Sequence, residues 1–263
     1  VSLPCGVLGF RPLPGGCPPP SFMEYRVEQS AGAAEIPAHR TGHSMCGGGA
    51  RTFVFGGALA DGTKLNDLWL MDRELLEWQR LPALGEVPSP REGHCAAYDA
   101  ERQLLYLFGG KGVEKRRLAD LYVCATRTGE WARLTPEAST LAPVGREGAC
   151  CVFADDMFVL FGGSGAGQRL NDLHYYDVAK NCWTQPHMTG TAPSPRQGAA
   201  LAYERGYLFL FGGRHNFLLD DLYVLNMYEQ SWQELATRGS VPSARHLHAM
   251  TVPGGSLWLF GGV

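Results

Sequence analysis

Tyr106-Leu107-Phe108-Gly109-Gly110 is the stretch that decides the fold of this chain, because its Phe-Gly-Gly triplet occurs five times. Successive triplets lie 53, 53, 50 and 49 residues apart. Repeats of about 50 residues are typical of β-propeller blades. The apolar run before each triplet predicts a strand buried on both faces, and glycine can adopt the positive φ needed where the chain leaves the sheet. The paired glycines are Gly56, Gly57, Gly109, Gly110, Gly162, Gly163, Gly212, Gly213, Gly261 and Gly262.

Each triplet belongs to a longer frame of repeated residues. An arginine precedes it by 15 to 17 residues, a Leu-x-Asp-Leu sequence follows four of the five, and a tryptophan comes 13 residues after the first leucine of that sequence. Turn-rich segments divide each repeat into four short runs, which predicts four antiparallel strands and therefore one blade. We predict structural roles for the arginines, as hydrogen-bond donors to loop carbonyls of a neighbouring blade, and for the tryptophans, as packing residues between blades. They are Arg40, Arg91, Arg146, Arg196 and Arg245, with Trp78, Trp131, Trp183 and Trp232.

The predicted fold class is all-β, a propeller of four-stranded antiparallel blades spanning residues 22–263. Four blades are complete and the fifth is incomplete; they cover about residues 40–82, 91–134, 146–185, 196–235 and 245–263. Because Tyr25 stands where the tryptophan of an earlier blade would be, residues 22–30 are predicted to form an outer strand. Residues 1–21 are rich in proline and glycine, which predicts a disordered arm. We expect a fragment of a larger ring, and a five-bladed ring with one defective blade is the alternative.

The frame resembles the Kelch repeat, on the evidence of its aromatic-Gly-Gly triplet, its Leu-x-Asp-Leu strand and its spaced tryptophan. The lead-ins Pro88-Ser-Pro-Arg91 and Pro193-Ser-Pro-Arg196 are similar to those of the branch that includes host cell factor, Rab9 effector and fungal cell-end proteins. The resemblance implies a protein that works by binding. We therefore expect a non-catalytic protein–protein interaction module, a scaffold within a larger regulatory or adaptor protein. A substrate receptor of a ubiquitin ligase is an alternative.

Composition narrows the class of partner. A net charge of −3 is small and of the wrong sign for nucleic acid or an anionic membrane, so a protein or peptide is expected. The chain has no apolar run of 18 residues that would predict a membrane-spanning helix. Its eight cysteines include no Cys-x-x-Cys, which favours free thiols and a cytoplasmic or nuclear protein, with neither a metal nor a cofactor.

One side of the predicted propeller is the candidate binding surface. Each repeat begins with a short segment at its repeated arginine, which we call the arginine opening. Strand direction brings these openings and the loops after each glycine pair to the same side. We call this side the loop face. Kelch domains that capture peptides contact them near the residue after each arginine, and the resemblance carries that expectation to this chain. Cations in the variable loops predict an anionic partner, although solvated loop charges would give the same pattern. The candidate contacts are Thr41, Glu92, Glu147, Gln197, His246, Lys111, Lys115, Arg116, Arg117, Arg169, Arg214 and His215.

An enzyme is the main rival, since some Kelch-fold proteins are oxidases or epimerases. His43, His94 and His248 recur at one position, but alanine replaces them in two repeats, so we expect them to pack within their blades. The aspartate of each Leu-x-Asp-Leu sequence also recurs once per blade, which indicates a turn hydrogen bond. Catalytic residues normally break the symmetry of a repeat, and no unrepeated cluster of Tyr, His and Cys stands out.

Overall fold

The computed structural model describes residues 35–137, 141–165 and 167–263. These residues are almost entirely β structure, and none of them lies in an α-helix. Small antiparallel sheets are arranged as the blades of a propeller, which confirms the predicted fold class. The predicted disordered arm and outer strand, residues 1–21 and 22–30, lie outside the described residues.

Four blades each contain four main antiparallel strands, and a fifth contains two. Blade one is β1 (Ser44–Gly48), β2 (Arg51–Ala58), β3 (Lys64–Asp72) and β4 (Glu77–Leu81). Blade two is built on β7 (Cys95–Asp99), β8 (Leu104–Phe108), β10 (Leu121–Ala125) and β11 (Glu130–Leu134), with short β5 (Leu84–Gly85), β6 (Arg91–Glu92) and β9 (Lys111–Gly112). Blade three is β12 (Arg146–Glu147), β13 (Cys150–Ala154), β14 (Met157–Gly165), β15 (Gln168–Asp177) and β16 (Cys182–Thr184). Blade four is β17 (Thr189–Gly190), β18 (Ala200–Glu204), β19 (Tyr207–Arg214), β20 (Leu218–Asn226) and β21 (Ser231–Glu234), and the fifth is β22 (His248–Thr251) and β23 (Trp258–Gly261), joined by a 3-10 helix at Pro253–Gly255.

The cores lie between blades, where the phenylalanine of each of the first three triplets meets the tryptophan of the next blade. The ring centroids of Phe55 and Trp131 are 5.0 Å apart, and the equivalent contacts in the next two junctions are 5.5 and 5.7 Å. Trp131, Trp183 and Trp232 are buried. Trp78 is only half-buried, since no described blade precedes it. Burial of aromatic area between sheets is therefore what joins one blade to the next.

The second glycine of each triplet lets the chain pass close to the arginine opening of its own blade. Gly110 has a φ of 91°, and a Cβ there would lie 2.8 Å from the carbonyl oxygen of Glu92 and 2.8 Å from Cβ of His94. Any larger residue would force the two segments apart. The triplet thus fixes where each loop leaves its sheet.

A ladder of backbone hydrogen bonds runs from blade to blade beside the openings. The N–H of Gly93 donates to the carbonyl of Gly42 at 2.7 Å. Three further bonds of 2.8 Å continue the row through Gly148 and Gly198 to Leu247. We call these five residues the glycine ladder. It ties the openings of neighbouring blades together at a fixed spacing.

The six cysteines within the described residues are free thiols. Cys124 is fully buried, and this burial raises the pKa of its thiol to about 12. Such a thiol stays protonated at neutral pH and acts as a small packing group.

No helix in the part of the chain that the structure describes has the length and apolar character needed to cross a bilayer.

Candidate functional site

The structure brings the arginine openings and the loops after the glycine pairs side by side. In blade two, Glu92 pairs with Lys111 in a short antiparallel ladder. The residues after the other four arginines pair through their backbones with the equivalent loop positions of their own blades. Thr41, Glu92, Glu147, Gln197 and His246 therefore occupy equivalent positions on the loop face.

The repeated arginines hold the bases of these loops. Both terminal nitrogens of Arg91 donate to the carboxylate of Asp120, at 2.6 and 2.9 Å, and Nη1 also donates to the carbonyl of Gly109 at 2.9 Å. The partners lie in the same blade, whereas sequence analysis placed them in a neighbouring one. Three further bidentate pairs repeat this geometry: Arg40 with Asp67, Arg146 with Asp172, and Arg196 with Asp221. Arg91, Arg146 and Arg196 are completely buried, so these pairs form part of the scaffold.

Asp67 and Asp172 are ionised structural groups. Burial alone would raise the pKa of Asp67, but hydrogen bonds from Arg40 and Trp69 outweigh it and hold that pKa below its ordinary value. The same balance, with hydrogen bonds from His174 and Arg146, lowers the pKa of Asp172. A carboxylate locked in this way cannot exchange protons near neutral pH. The recurring aspartate thus bonds a side chain, and not the turn backbone expected from the sequence.

Two of the three recurring histidines, His94 and His248, lie in the interior and contact the preceding blade, where the sequence predicted packing within their own blades; His43 is exposed. Nε2 of His94 lies 2.9 Å from the hydroxyl of Ser44 in the preceding blade. Burial, followed by the charge of Arg91, lowers the pKa of His94 to about 3. His248 packs edge-on against Phe211, and burial followed by Arg245 lowers its pKa to about 4. Both rings are neutral at physiological pH, and no group of three His, Cys, Asp or Glu side chains within the described ranges could hold a metal ion.

Two junctions of the loop face carry ion pairs between blades. Nζ of Lys64 in blade one lies 3.3 Å from the carboxylate of Glu92 in blade two. Nη2 of Arg117 in blade two lies 2.9 Å from the carboxylate of Glu147 in blade three. In both cases the cation directly precedes Leu-x-Asp-Leu and the acid follows the next arginine. The cation and the acid at each of these two junctions therefore neutralise each other.

Lys64 belongs to this set of cations, although it was not among the residues predicted from the sequence. The sequence does show that Lys64 is equivalent to two candidate cations, since Lys64, Arg117 and Arg169 all stand one residue before the first leucine of Leu-x-Asp-Leu. The pairing with the next blade could not be anticipated, because it depends on the offset between two sheets. In the loop of blade two that ends at Arg117, Lys115 and Arg116 are exposed, and Lys111 at the start of the loop is half-buried.

The junction between blades three and four differs from the other two. Arg169 stands at the position of Lys64 and Arg117, but blade four presents Gln197 in place of a glutamate. Within the described ranges neither Arg169 nor Arg214 forms an ion pair, and the buried Nε of Arg169 has no hydrogen-bond partner. Arg214 is exposed and its backbone pairs with Gln197, while Phe217 in the same loop exposes 68% of its surface. We call Arg169, Gln197, Arg214, His215 and Phe217 the junction patch.

Phe217 is a second residue that sequence analysis did not select. An exposed aromatic ring beside unpaired arginines is typical of the core of a protein interface. The sequence does show a bulky apolar residue in a polar loop, but only the structure shows that the ring of Phe217 is exposed.

Comparison with known proteins places these features in a family. The family model of the KLHDC2/KLHL20/DRC7 Kelch-repeats domain matches residues 42–262. Dynein regulatory complex subunit 7 of Chlamydomonas reinhardtii is 39% identical over 169 residues, 60% of this chain and 14% of that protein. Host cell factor 1 of Homo sapiens is 30% identical over 206 residues, covering 71% of this chain and 10% of that protein. Kelch domain-containing protein 2 of Mus musculus is 28% identical over 233 residues, 75% of this chain and 55% of that protein. The chain thus spans about half or less of the length of these relatives.

Proposed function

This chain belongs to the KLHDC2/KLHL20/DRC7 Kelch-repeat family, and from that premise we propose that it is a non-catalytic module that binds a partner protein or peptide through its loop face. The observation that carries the proposal is the junction patch, where unpaired arginines and an exposed aromatic ring stand on a rigid base. We further propose that the module works within a larger regulatory or adaptor protein.

A relative supports the assembly role. Dynein regulatory complex subunit 7 is by its name one component of a complex, and its match to this chain covers 14% of its length. In that relative, the matched segment is therefore one part of a longer protein that belongs to a complex. We extend that role to this chain as a binding module.

The scaffold also suits binding. Arg–Asp pairs hold the loop bases of the first four blades and the glycine ladder links all five openings, while the residue after the arginine is Thr, Glu, Glu, Gln and His in blades one to five. A pre-organised surface loses little conformational entropy when it binds. Specificity would then reside in the variable positions.

Chemistry of the side chains favours binding over catalysis. The pKa of Asp67 and of Asp172 is lowered by hydrogen-bond partners, and His94 and His248 are neutral and buried. A general acid or base needs a pKa near the working pH and access to a substrate. These groups have neither property, which supports a non-enzymatic role.

The charge of the junction patch defines the partner further. At the other two junctions a glutamate neutralises the cation, whereas Gln197 leaves Arg169 and Arg214 free to meet an anion. Arginine binds carboxylates and phosphates through paired hydrogen bonds. We propose an acidic peptide segment with an adjoining apolar residue that packs against Phe217.

Affinity capture from cell lysate tests the proposal. The site variant combines Arg214→Glu with Phe217→Ser, and both residues are exposed. The matched control combines Arg127→Glu with Tyr228→Ser, which change one exposed arginine and one exposed aromatic residue in turns on the opposite side. We expect the unchanged chain and the control to retain the same partners by mass spectrometry, and the site variant to lose them. Identical partner sets for all three proteins would contradict the proposal.

A further inference from the structure

His174 in β15 lies between two hydrogen-bond acceptors. Its Nε2 is 2.9 Å from Oδ2 of Asp172, and its Nδ1 is 2.9 Å from the carbonyl oxygen of Leu141. The side chain of His174 is only 5% exposed, so water has little access to either bond. Both ring nitrogens therefore have partners within the protein.

The chemistry of the two partners decides how many protons the ring carries. A carbonyl oxygen only accepts hydrogen bonds. Burial alone would raise the pKa of Asp172, but hydrogen bonds from His174 and Arg146 outweigh it and keep the carboxylate ionised. A neutral imidazole has one N–H and leaves a lone pair facing one of these acceptors, whereas an imidazolium donates to both. The arrangement therefore favours a ring with two protons.

The other groups around the ring show what the loss of one proton would change. Arg146 in β12 donates to the same Asp172 carboxylate at 2.6 and 2.8 Å. Leu160 in β14 lies opposite His174, and the ring of Trp183 in β16 is edge-on to it at 6.2 Å. Asp172 thus keeps its arginine partner and one N–H from the ring when the second proton leaves. Only the bond to the carbonyl is lost.

That carbonyl belongs to the connector between blades two and three. Asparagine side chains tie the other two connectors between complete blades. Nδ2 of Asn66 donates to the carbonyl of Pro88 at 3.1 Å. Nδ2 of Asn171 donates to the carbonyl of Pro193 at 3.0 Å. Blade two has Ala119 at the asparagine position, and alanine has no side-chain donor. The connector after blade two is therefore tied by a titratable ring where the others are tied by an amide.

His174 also differs from the residues at its position in the other complete blades. The residue after Leu-x-Asp-Leu is Trp69 in blade one, Tyr122 in blade two and Tyr223 in blade four. Trp69 donates to the aspartate of its own blade at 2.6 Å through its single N–H. The two tyrosine rings lie 5.5 Å below the guanidinium carbons of the arginines in their blades. Among these side chains only histidine changes its charge near neutral pH.

We propose that His174 is a pH-dependent latch on the connector between blades two and three. With two ring protons it joins Asp172 to the carbonyl of Leu141. As the pH rises the ring gives one proton to water and releases that carbonyl. The connector continues directly into Arg146 and Glu147, so the latch sets how firmly the opening of blade three is held. The proposal does not depend on the function proposed for the loop face.

Two measurements on the whole chain test the latch. Nitrogen-15 NMR of labelled histidine side chains counts the protons on the ring of His174. Hydrogen exchange, corrected for the intrinsic effect of pH, gives the protection of the amides of residues 141–145. We expect two ring protons at about pH 5.5 and one at about pH 8.5. Over the same interval the protection should fall at least about tenfold, the factor expected when a hydrogen bond to a charged group is lost. The amides of residues 189–194, in the connector tied by Asn171, should show no such fall.

The chain itself suggests the control variants. His174→Tyr introduces the residue of blades two and four, and His174→Trp keeps one donor for Asp172, as Trp69 does in blade one. Both should remove the pH dependence of protection in residues 141–145. His187→Tyr changes an exposed histidine in the next connector and should leave that dependence intact. A ring of His174 that keeps the same number of protons across the interval would overturn the proposal, as would a pH-dependent fall in protection that persists in both His174 variants.

Discussion

Replacing Trp131 with alanine tests whether contacts between blades hold the propeller together. Trp131 is 2% exposed, and its ring lies 5.0 Å from that of Phe55 in the preceding blade. Its indole N–H is buried without a hydrogen-bond partner, so the substitution removes packing and breaks no hydrogen bond.

The expected loss follows from the buried area. A buried tryptophan removes about 150 to 250 Å² from water, which at about 25 cal/mol per Å² gives roughly 4 to 6 kcal/mol as an upper estimate. Measured losses for Phe or Trp to Ala in protein cores are about 3 to 5 kcal/mol. We therefore expect Trp131→Ala to lower the free energy of unfolding by about 3 to 5 kcal/mol.

Trp78 provides the matched control because it has the same place in its repeat and is only half-buried. Trp78→Ala should cost about 1 to 2 kcal/mol, in proportion to its smaller buried area. Urea unfolding followed by circular dichroism gives the midpoint and m value of each variant. Equal losses for the two substitutions, or a Trp131→Ala protein that unfolds like the parent, would refute the inference that stability resides between blades.

Three further predictions concern charged groups. Asp120→Asn should lower the free energy of unfolding by about 3 to 5 kcal/mol in urea, because it leaves the buried guanidinium of Arg91 without its counter-charge; a loss below 1 kcal/mol would contradict the structural role of the pair. Stability should fall as the pH drops from about 6.5 towards 4, because the unfolded chain binds a proton at His94 while the folded state, with a pKa near 3, does not. His94→Gln should reduce this slope in melting temperature against pH, and an unchanged slope would show that other groups cause it. Reversing Lys115 and Arg116 to Glu should change the melting temperature little, since both are exposed, and a loss of partners in capture experiments would extend the binding surface to that turn.

The sequence predicted the blades well because each depends on local spacing. The triplet at Phe108-Gly109-Gly110 follows the end of β8, and the Leu-x-Asp-Leu sequence that begins at Leu118 ends on Leu121, the first residue of β10. The sequence also predicted that the openings and the variable loops share one side, since strand direction alone decides it.

The details of the candidate site could not be predicted in the same way. The partner of Arg91 was expected in another blade, and only the folded sheet shows Asp120 within 2.6 Å. The pairing of Lys64 with Glu92 crosses a junction between two sheets, so no repeat spacing reveals it. Exposure of Phe217 likewise depends on what the neighbouring loops leave uncovered.

The glycine ladder has a consequence for how the molecule comes apart. Its four hydrogen bonds all point the same way, so their amide dipoles align head to tail and strengthen one another. Leu247 adopts a φ of 58°, a conformation that is costly for a residue with a side chain. The hydrogen bond from Leu247 to Gly198 should therefore be the first of the four to open, and the amide proton of Leu247 should exchange with solvent faster than those of Gly93, Gly148 and Gly198.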